Sequence, residues 1–219
     1  MTHRFASVPE ALQALAAGRI LIVLDAEDRE NEGDFLAAAE KITPEMIYFM
    51  LRRGCGQLCV PVAPVIASRL ELERIGTNLD LASTAFAVPV DHRSCRTGIS
   101  PAERVLTIQE ILNPFSQPED FQRPGHVFPL IAREGGVLRR PGHTEAAVDL
   151  TRLAGLAPAG VLCEICSRDG YHMADRAELW EIAEEFDLPL FAIDDLVRFR
   201  LLHDDDLTMA ESLVPSVVI

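Results

Sequence analysis

The sequence predicts a single α/β or α+β domain, and three observations support this fold class. The chain has 219 residues, of which 48% are apolar and 25% are charged, as in an ordinary globular domain. Short apolar runs typical of buried strands alternate with segments of helical periodicity. No linker, low-complexity tract or convincing internal repeat interrupts this pattern. We therefore predict one domain over residues 1–203, followed by a tail, residues 204–219, that is first acidic and then apolar.

Start and stop signals justify the predicted helices. Ser7 and Glu10 have the spacing of a capping box, in which two side chains satisfy backbone N–H groups at a helix start, and Gly18 ends that helix. Thr43 precedes a proline at the first helical position, and a second capping box begins at Ser100. The helices are predicted at residues 7–17, from 43, at 100–113, from about 144, at 175–186 and, as a short final helix, from 194 or 195.

Short apolar runs predict the strands between these helices. The first two runs enclose residues 25–34, which are almost wholly polar, and the Gly135-Gly136 pair predicts a turn. The strands are predicted at residues 19–24, 35–39, 57–62, 84–90, 127–132, 160–165 and 190–193.

The charge balance excludes several classes of partner. The net charge is −14, from 20 basic and 34 acidic residues, and a field of this sign repels nucleic acids and anionic membranes. No apolar run of about 18 residues predicts a membrane span, and the N-terminal segment lacks signal-peptide features, so we expect a cytoplasmic protein. Phosphate-loop, dinucleotide-binding and serine-hydrolase motifs are absent from the sequence. An anionic ligand would therefore require arginines gathered locally against the overall charge.

The densest polar segment, residues 25–34, holds six carboxylates and Arg29. A solvated hairpin loop is the ordinary interpretation of such a run. However, the segment follows a buried strand, where α/β proteins commonly bind ligands. Six clustered carboxylates repel one another, and a divalent cation with oxygen ligands relieves that repulsion. The segment therefore indicates a metal site, with Arg29 available to grip a substrate oxyanion.

A second cluster runs from Arg139 to Glu145 and includes a glycine before a threonine at a predicted helix start. Backbone N–H groups and the positive end of the helix dipole favour an anion there. Arg140 and Thr144 could bind a phosphate and His143 a metal, whereas the ordinary alternative is a basic surface turn.

A histidine, a glutamate and a pair of cysteines bear on the chemistry of the site. His126 enters an apolar strand between two prolines, which suits an acid/base group, although a structural histidine is the commoner case. Glu164 lies within an apolar strand, so it either pairs with a cation or histidine, acts as a base, or faces water at a sheet edge. Cys163 and Cys166 do not predict a zinc site, because residues three apart on a strand point to opposite faces.

Five blocks together resemble the family of 3,4-dihydroxy-2-butanone 4-phosphate synthases. They occur in family order and at family-like spacing, and the similarity covers roughly residues 8 to 200. Because the similarity ends there, no fused GTP cyclohydrolase II domain is expected in this chain. The blocks are residues 24–34, 97–104, 123–130, 140–146 and 159–164.

The resemblance implies a fold and an activity. The fold would be a compact α+β domain of mixed sheet with surrounding helices. The activity would convert D-ribulose 5-phosphate into 3,4-dihydroxy-2-butanone 4-phosphate and formate in riboflavin biosynthesis. The resemblance also implies a divalent cation, usually Mg²⁺, with Mn²⁺ as a second candidate because one ligand is a histidine. It further implies a homodimer with active sites near the subunit interface.

The resemblance also implies roles for individual residues. Glu30 and His143 would be the metal ligands, and His126 and Glu164 would be essential for catalysis. Asp25, Glu32 and Cys59 are further catalytic candidates. The residues implied to hold substrate and phosphate are Arg29, Glu30, Asp34, Thr97, Arg140, Pro141, Gly142, His143, Thr144 and Glu164.

Departures from the family pattern are visible in the sequence, among them residues 169–174, which differ in detail from a short family loop. Pro141 stands where the family often has a small residue, and it removes one N–H that could donate to phosphate. Residues 54–57 differ from the usual glycine-and-aliphatic run. None of these departures removes a proposed catalytic residue.

Two alternatives to this activity stay open. The chain could be an inactive relative that acts as a structural partner of a separate GTP cyclohydrolase II, although it keeps Glu30, His126, His143 and Glu164 together. It could instead isomerise or cleave a sugar phosphate, since proton removal beside a ketone is common to these reactions.

Overall fold

A computed structural model describes residues 4–76 and 83–212, with side chains described up to residue 203. Within these residues one mixed sheet of seven strands carries α-helices on both faces. The strands are β1 (Leu21–Leu24), β2 (Gly33–Ala38), β3 (Cys59–Val62), β4 (Val90–His92), β5 (Phe121–Ile131), β6 (Gly160–Glu164) and β7 (Leu190–Ala192). The helices are α1 (Val8–Ala16), α2 (Pro44–Gly54), α3 (Pro64–Arg69), α4 (Pro101–Leu112), α5 (His143–Leu153), α6 (Arg176–Glu185) and α7 (Ile193–Ser212).

The sheet mixes parallel and antiparallel pairs in the order β4-β5-β3-β6-β2-β1-β7. The pairs β1–β7 and β3–β5 are parallel, and the other neighbours are antiparallel. Strands β1, β2 and β3 are buried at every residue, which explains the apolar runs of β1, of β3 and of β2 after Asp34. The predicted fold, a single mixed sheet with surrounding helices, is confirmed.

Two layers of helices bury the two faces of the sheet. Along β2, Phe35 and Ala37 point into the core beneath α2, α3, α4 and α6, whereas Leu36 and Ala38 point into the core beneath α1, α5 and α7. Asp34 has the same parity as Leu36, so it faces the α5 layer. A polar group is thereby placed on the side of the sheet where α5 begins.

The predicted helix starts are confirmed by their caps. At α1, the Glu10 carboxylate accepts from the Ser7 backbone N–H at 2.7 Å. The Thr43 hydroxyl caps α2 by accepting from a backbone N–H of the first turn, and Ser100 caps α4 in the same way. Local sequence therefore determines where these helices begin.

Two element predictions were wrong. Of the predicted strand at residues 84–90, only Val90 belongs to a strand, while Phe86 and Ala87 make isolated bridges to two different partners. Pro89 lacks an N–H and interrupts the pairing within this run. The final helix is long rather than short: α7 passes residue 203 and ends at Ser212, because no proline or glycine occurs before that point. The tail's last residues, 213–219, lie outside the described part, so the division at residue 203 stays a prediction.

No helix in the described ranges is both long and apolar enough to cross a lipid bilayer.

Candidate active site

The acidic loop between β1 and β2 is organised by one buried carboxylate, that of Asp25. Its Oδ1 accepts from the Glu32 backbone N–H at 2.9 Å, and its Oδ2 accepts from the Glu30 backbone N–H at 3.2 Å. Oδ2 also accepts from Nη1 of Arg29 at 2.6 Å. The loop is therefore wrapped around Asp25 instead of extending freely into solvent.

Arg29 and Glu30 form a two-bond ion pair at the loop surface. Nη1 of Arg29 lies 2.6 Å from Oε2 of Glu30, and Nη2 lies 3.2 Å from Oε1. The Glu30 side chain is 48% exposed, so its carboxylate can accept further ligands from the solvent side. The one arginine of the acidic segment is thus the counter-ion of two of its carboxylates.

The N-terminus of α5 faces this loop. Gly142 is the residue before the helix, and a Cβ there would lie 2.3 Å from Nη1 of Arg140 and 3.0 Å from Nη2 of Arg29. Any larger residue here would push one or both guanidinium groups away from the helix start. The first-turn N–H groups and the helix dipole add to their positive charge, which makes this end of α5 suited to an anion.

His143 is the first residue of α5 and is buried. Its Nε2 lies 3.1 Å from the backbone oxygen of Val23, and because a carbonyl oxygen can only accept, Nε2 carries the hydrogen. Nδ1 is therefore the ring nitrogen that can face a ligand. Ligand atoms of His143, Glu30 and Asp25 all lie within 4.8 Å of one another, so these three residues could hold a metal ion. The predicted ligands Glu30 and His143 are thus brought together, with Asp25 as a third neighbour.

Asp34 and Glu164 are directly opposite each other on β2 and β6. Burial raises the pKa of Asp34 to about 7. The nearby His143 lowers this pKa, whereas the carboxylates of Glu164 and Glu32 raise it further. Burial and the nearby Glu30 carboxylate also raise the pKa of Glu32. Like charges crowded in this way would be stabilised by a cation.

Glu164 is held in place by residues 54–57, the segment that departs from the family pattern. Its Oε2 accepts from the Gln57 backbone N–H at 2.8 Å. A Cβ on Gly56 would lie 2.6 Å from the same oxygen, so glycine is needed for this close approach. The departure therefore preserves a loop that fits around the predicted catalytic carboxylate.

Nine of the predicted site residues line one pocket of about 240 Å³. They are Arg29, Glu30, Glu32, Asp34, Cys59, Arg140, His143, Thr144 and Glu164. Sequence reasoning missed four further wall residues, which are Thr84, Phe86, Leu130 and Leu162. No sequence motif singles out these four residues. Phe86, Leu130 and Leu162 are ordinary apolar residues of strands or bridges, and Thr84 begins the apolar run that contains Phe86.

Arg140 is buried at the pocket wall, and both terminal nitrogens of its guanidinium group are hydrogen-bonded. Its Nη1 lies 2.7 Å from Oε2 of Glu145, and its Nη2 donates to the Thr84 hydroxyl at 2.9 Å. Glu145 also accepts from the Arg133 backbone N–H at 3.1 Å. The guanidinium group is therefore oriented before any ligand binds.

Cys59 belongs to the same pocket and packs on the α5 face of the sheet. Burial raises the pKa of its thiol well above the ordinary value, so it is a neutral thiol at physiological pH. Cys163 packs on the opposite face of the sheet.

The remaining predicted residues do not line the pocket. Pro141 is exposed, Gly142 lies behind the two arginines, and Asp25 lies beneath the loop. Thr97 and His126 belong to a second group, here called the His126 cluster, which consists of Asp91, Thr97, Gly98, Glu103 and His126.

Glu103 orders the loop that carries Thr97 in this cluster. Its carboxylate accepts from the backbone N–H groups of Arg96, Thr97 and Gly98 and from the Thr97 hydroxyl. These bonds, led by that from the Arg96 N–H, lower the pKa of Glu103 to about 2. Glu103 is a structural carboxylate that sequence reasoning treated only as part of a capping box.

A larger groove of about 840 Å³ lies between α1, α6 and β7, away from these residues. Four of its charged groups pair with each other, Arg4 with Glu10 and Arg19 with Asp187. The smaller pocket is the candidate active site because charged groups from three distant segments, the acidic loop, the start of α5 and β6, converge on it.

Comparisons with known proteins identify the family of the chain. The family model for 3,4-dihydroxy-2-butanone 4-phosphate synthase matches residues 9–199. The chain belongs to this family. A riboflavin biosynthesis protein RibBA of Bacillus mycoides is 55% identical over 205 residues, which cover 93% of this chain and 51% of the relative. The chain thus spans about half the length of the curated relatives it matches.

Solved synthase structures show the same fold. The 3,4-dihydroxy-2-butanone 4-phosphate synthase of Candida albicans is 41% identical, with a TM-score of 0.82 over 90% of this chain and 98% of that one. A synthase structure in complex with two magnesium ions is 38% identical, with a TM-score of 0.84 over 92% of this chain and 99% of that one. The resemblance seen in the sequence is confirmed.

Proposed function

We propose that this chain is an active synthase that converts D-ribulose 5-phosphate into 3,4-dihydroxy-2-butanone 4-phosphate and formate in riboflavin biosynthesis. The observation that carries the proposal is the single pocket that gathers a candidate metal cluster, an anion-binding helix start and Glu164. The reaction begins with proton removal beside the ketone, which gives an enediol. Water is then lost from C1, the carbon skeleton rearranges, and a water molecule adds to C4, which leaves as formate, so that no net water is lost or gained.

The phosphate end of the substrate fits the start of α5. Arg140 and the backbone N–H groups around Thr144 form a local positive site within a chain of net charge −14. Arg29 lies on the other side of Gly142 and supplies a second guanidinium group. We place the phosphate between these groups.

Glu30 and His143 would hold a divalent cation, with Asp25 beside them. The residues fit such an ion, since two carboxylates and one imidazole nitrogen converge and burial raises the pKa of the adjacent Asp34. When bound, the cation supplies positive charge that stabilises oxyanions developing on the substrate. Mg²⁺ is the proposed metal, and the histidine ligand makes Mn²⁺ a second candidate.

The proton transfers fall to groups around the same cavity. Glu164 is fixed by one oxygen to the Gln57 N–H, which leaves its other oxygen for the substrate. Asp34, with a pKa of about 7, can both take and give a proton near neutrality. Glu32 and the neutral thiol of Cys59 complete the set.

A homodimer would bring the His126 cluster to the pocket. His126 and Thr97 are exposed or half-exposed and do not line the pocket of their own chain. We propose that the His126 cluster of one protomer faces the pocket of its partner. The proposed cytoplasmic location fits the five cysteines, all of which are free.

The inactive-partner alternative is not favoured, because the pocket unites the charged groups that the reaction needs. Identifying the product distinguishes the proposed lyase reaction from isomerisation or aldol cleavage.

The deciding experiment is proton NMR of the purified protein with D-ribulose 5-phosphate and Mg²⁺, with and without a chelator. We expect a formate signal and a new methyl ketone, both lost with the chelator. Accumulation of a pentose phosphate isomer would replace the proposal with an isomerase. No change in folded protein, with Mn²⁺ tested as well, would favour the inactive relative.

A further inference from the structure

Asp91 is a buried carboxylate that makes two bonds to His126. Its Oδ1 accepts from the His126 backbone N–H at 2.8 Å, and its Oδ2 lies 2.6 Å from Nδ1 of the His126 ring. The Asp91 side chain is only 9% exposed, whereas that of His126 is 44% exposed. The imidazole is therefore anchored on its inner side and open on its outer side.

A shift in strand register creates this contact. Val90 pairs with Val127, but Asp91 pairs with Gln122, so residues 123–126 of β5 bulge out of the ladder. The Gly125 N–H donates to the backbone oxygen of Pro89 at 2.8 Å, and this bond holds the bulge against the start of β4. The Asp91 carboxylate thus takes over the hydrogen bond that a ladder partner would make to His126.

The same carboxylate supports the loop that carries Thr97. Gly98 has a φ of +77°, and a Cβ there would lie 2.0 Å from Oδ2 of Asp91. The loop therefore packs directly over Asp91, and one buried group positions both His126 and the neighbourhood of Thr97.

We propose that Asp91 is a positioning residue that fixes the tautomer of His126. Because a carboxylate only accepts, Nδ1 of His126 carries the hydrogen and Nε2 keeps its lone pair. Among the described residues, none bonds Nε2, so this atom is available to a substrate. The inference rests on the proposed function, in which His126 moves a proton, and Asp91 acts on the reaction only through His126.

The chain provides a matched control for this pair. Oδ2 of Asp169 lies 2.7 Å from Nδ1 of His172, and Oδ1 of Asp169 accepts from the His172 backbone N–H at 3.1 Å. The two side chains are 47% and 80% exposed, in a surface turn outside the pocket. The two bonds to the histidine are of the same kind as in the Asp91–His126 pair, but this pair is exposed and lies outside the pocket and the His126 cluster.

The test compares Asp91→Asn with Asp169→Asn in the full chain with Mg²⁺ and D-ribulose 5-phosphate. Asp91→Asn keeps an acceptor for the His126 N–H but no longer fixes the ring, so kcat should fall about 10²-fold with KM changed less than about threefold. Asp169→Asn should change neither. In a His126→Ala background, Asp91→Asn should cause no further loss of kcat. An equal loss in both backgrounds would overturn the inference.

A second readout does not depend on turnover. Long-range ¹⁵N–¹H spectra of histidine-labelled protein should show His126 as the Nδ1–H tautomer in the native chain and a changed tautomer in Asp91→Asn. Asp169→Asn should move only the His172 signals. An Nε2–H tautomer for His126 in the native chain would overturn the inference even if Asp91→Asn fails to fold. A chain that makes no formate but shows the expected tautomer would refute the proposed function alone.

Discussion

The pocket and the His126 cluster both depend on carboxylates, but they use them in opposite ways. In the pocket, Asp34 and Glu164 face each other across two strands, and burial raises the pKa of Asp34 to about 7. In the His126 cluster, backbone N–H groups surround Glu103 and lower its pKa to about 2. The pocket is therefore electrostatically incomplete without a ligand, whereas the cluster is satisfied by its own chain. We infer that the crowded carboxylates of the pocket are suited to binding a charged ligand, whereas the Glu103 carboxylate holds the loop of Thr97 in a fixed geometry.

The largest effect is expected from a substitution that removes a charged ligand of the proposed metal site. Glu30→Gln should lower kcat about 10³-fold and abolish the rise in thermal midpoint that Mg²⁺ gives the native chain. The control is Glu27→Gln, an exposed carboxylate of the same loop that pairs with Arg176 outside the pocket. It should behave as the native chain. Native turnover in Glu30→Gln would contradict the ligand role.

Glu164→Gln tests the opposite wall of the pocket. The amide oxygen can still accept from the Gln57 N–H, so the fold should persist, but the group can no longer carry a proton. We expect kcat to fall about 10²-fold or more while the Kd for substrate, measured by calorimetry, changes less than about threefold. A variant that turns over normally would leave Glu164 as a binding group only.

Mixing inactive chains would show whether the two regions meet across subunits. If Glu30→Gln and His126→Ala subunits exchange freely, half of the dimers are mixed, and each of these has one intact site. About a quarter of native activity should therefore return. Each variant alone is the control. No recovery after demonstrated subunit exchange would place His126 and Glu30 in sites formed within one chain.

The smallest expected effect concerns stability. The pKa of Asp34 is raised in the folded chain, so the folded chain keeps a proton on this group at pH values where the unfolded chain has released it. The contribution of Asp34 to the free energy of unfolding is therefore lost as the pH rises from about 4 towards 7. In the presence of a chelator, Asp34→Asn should raise the free energy of unfolding at pH 8 on the order of 2 kcal/mol and have little effect at pH 4.

Urea denaturation at the two pH values measures this difference. Asp28→Asn, at an exposed position in the same loop, is the control and should show no pH-dependent gain. An Asp34→Asn variant that is less stable than the native chain at pH 8 would show that the carboxylate is favourably ionised in the fold.

The sequence predicts local features of this molecule better than distant pairings. The caps at Ser7 and Ser100 involve residues three positions apart, so spacing alone locates them. The opposition of Asp34 and Glu164 depends on strand register, which no local pattern specifies. Asp91 escaped notice because its partner lies 35 residues away and is reached through a bulge. The motifs of the pocket were visible, but the bonds by which Thr84 and Glu145 support Arg140 were not.

The wrapping of the acidic loop around Asp25 has a consequence for how the loop moves. Three donors from residues 29, 30 and 32 share one carboxylate, and the Asp25 N–H itself bonds the Glu32 carbonyl at 3.3 Å. Withdrawing Asp25 breaks all of these bonds together, so the loop should open as one cooperative unit. Amide hydrogen exchange at Glu30 and Glu32 should then share a single opening free energy.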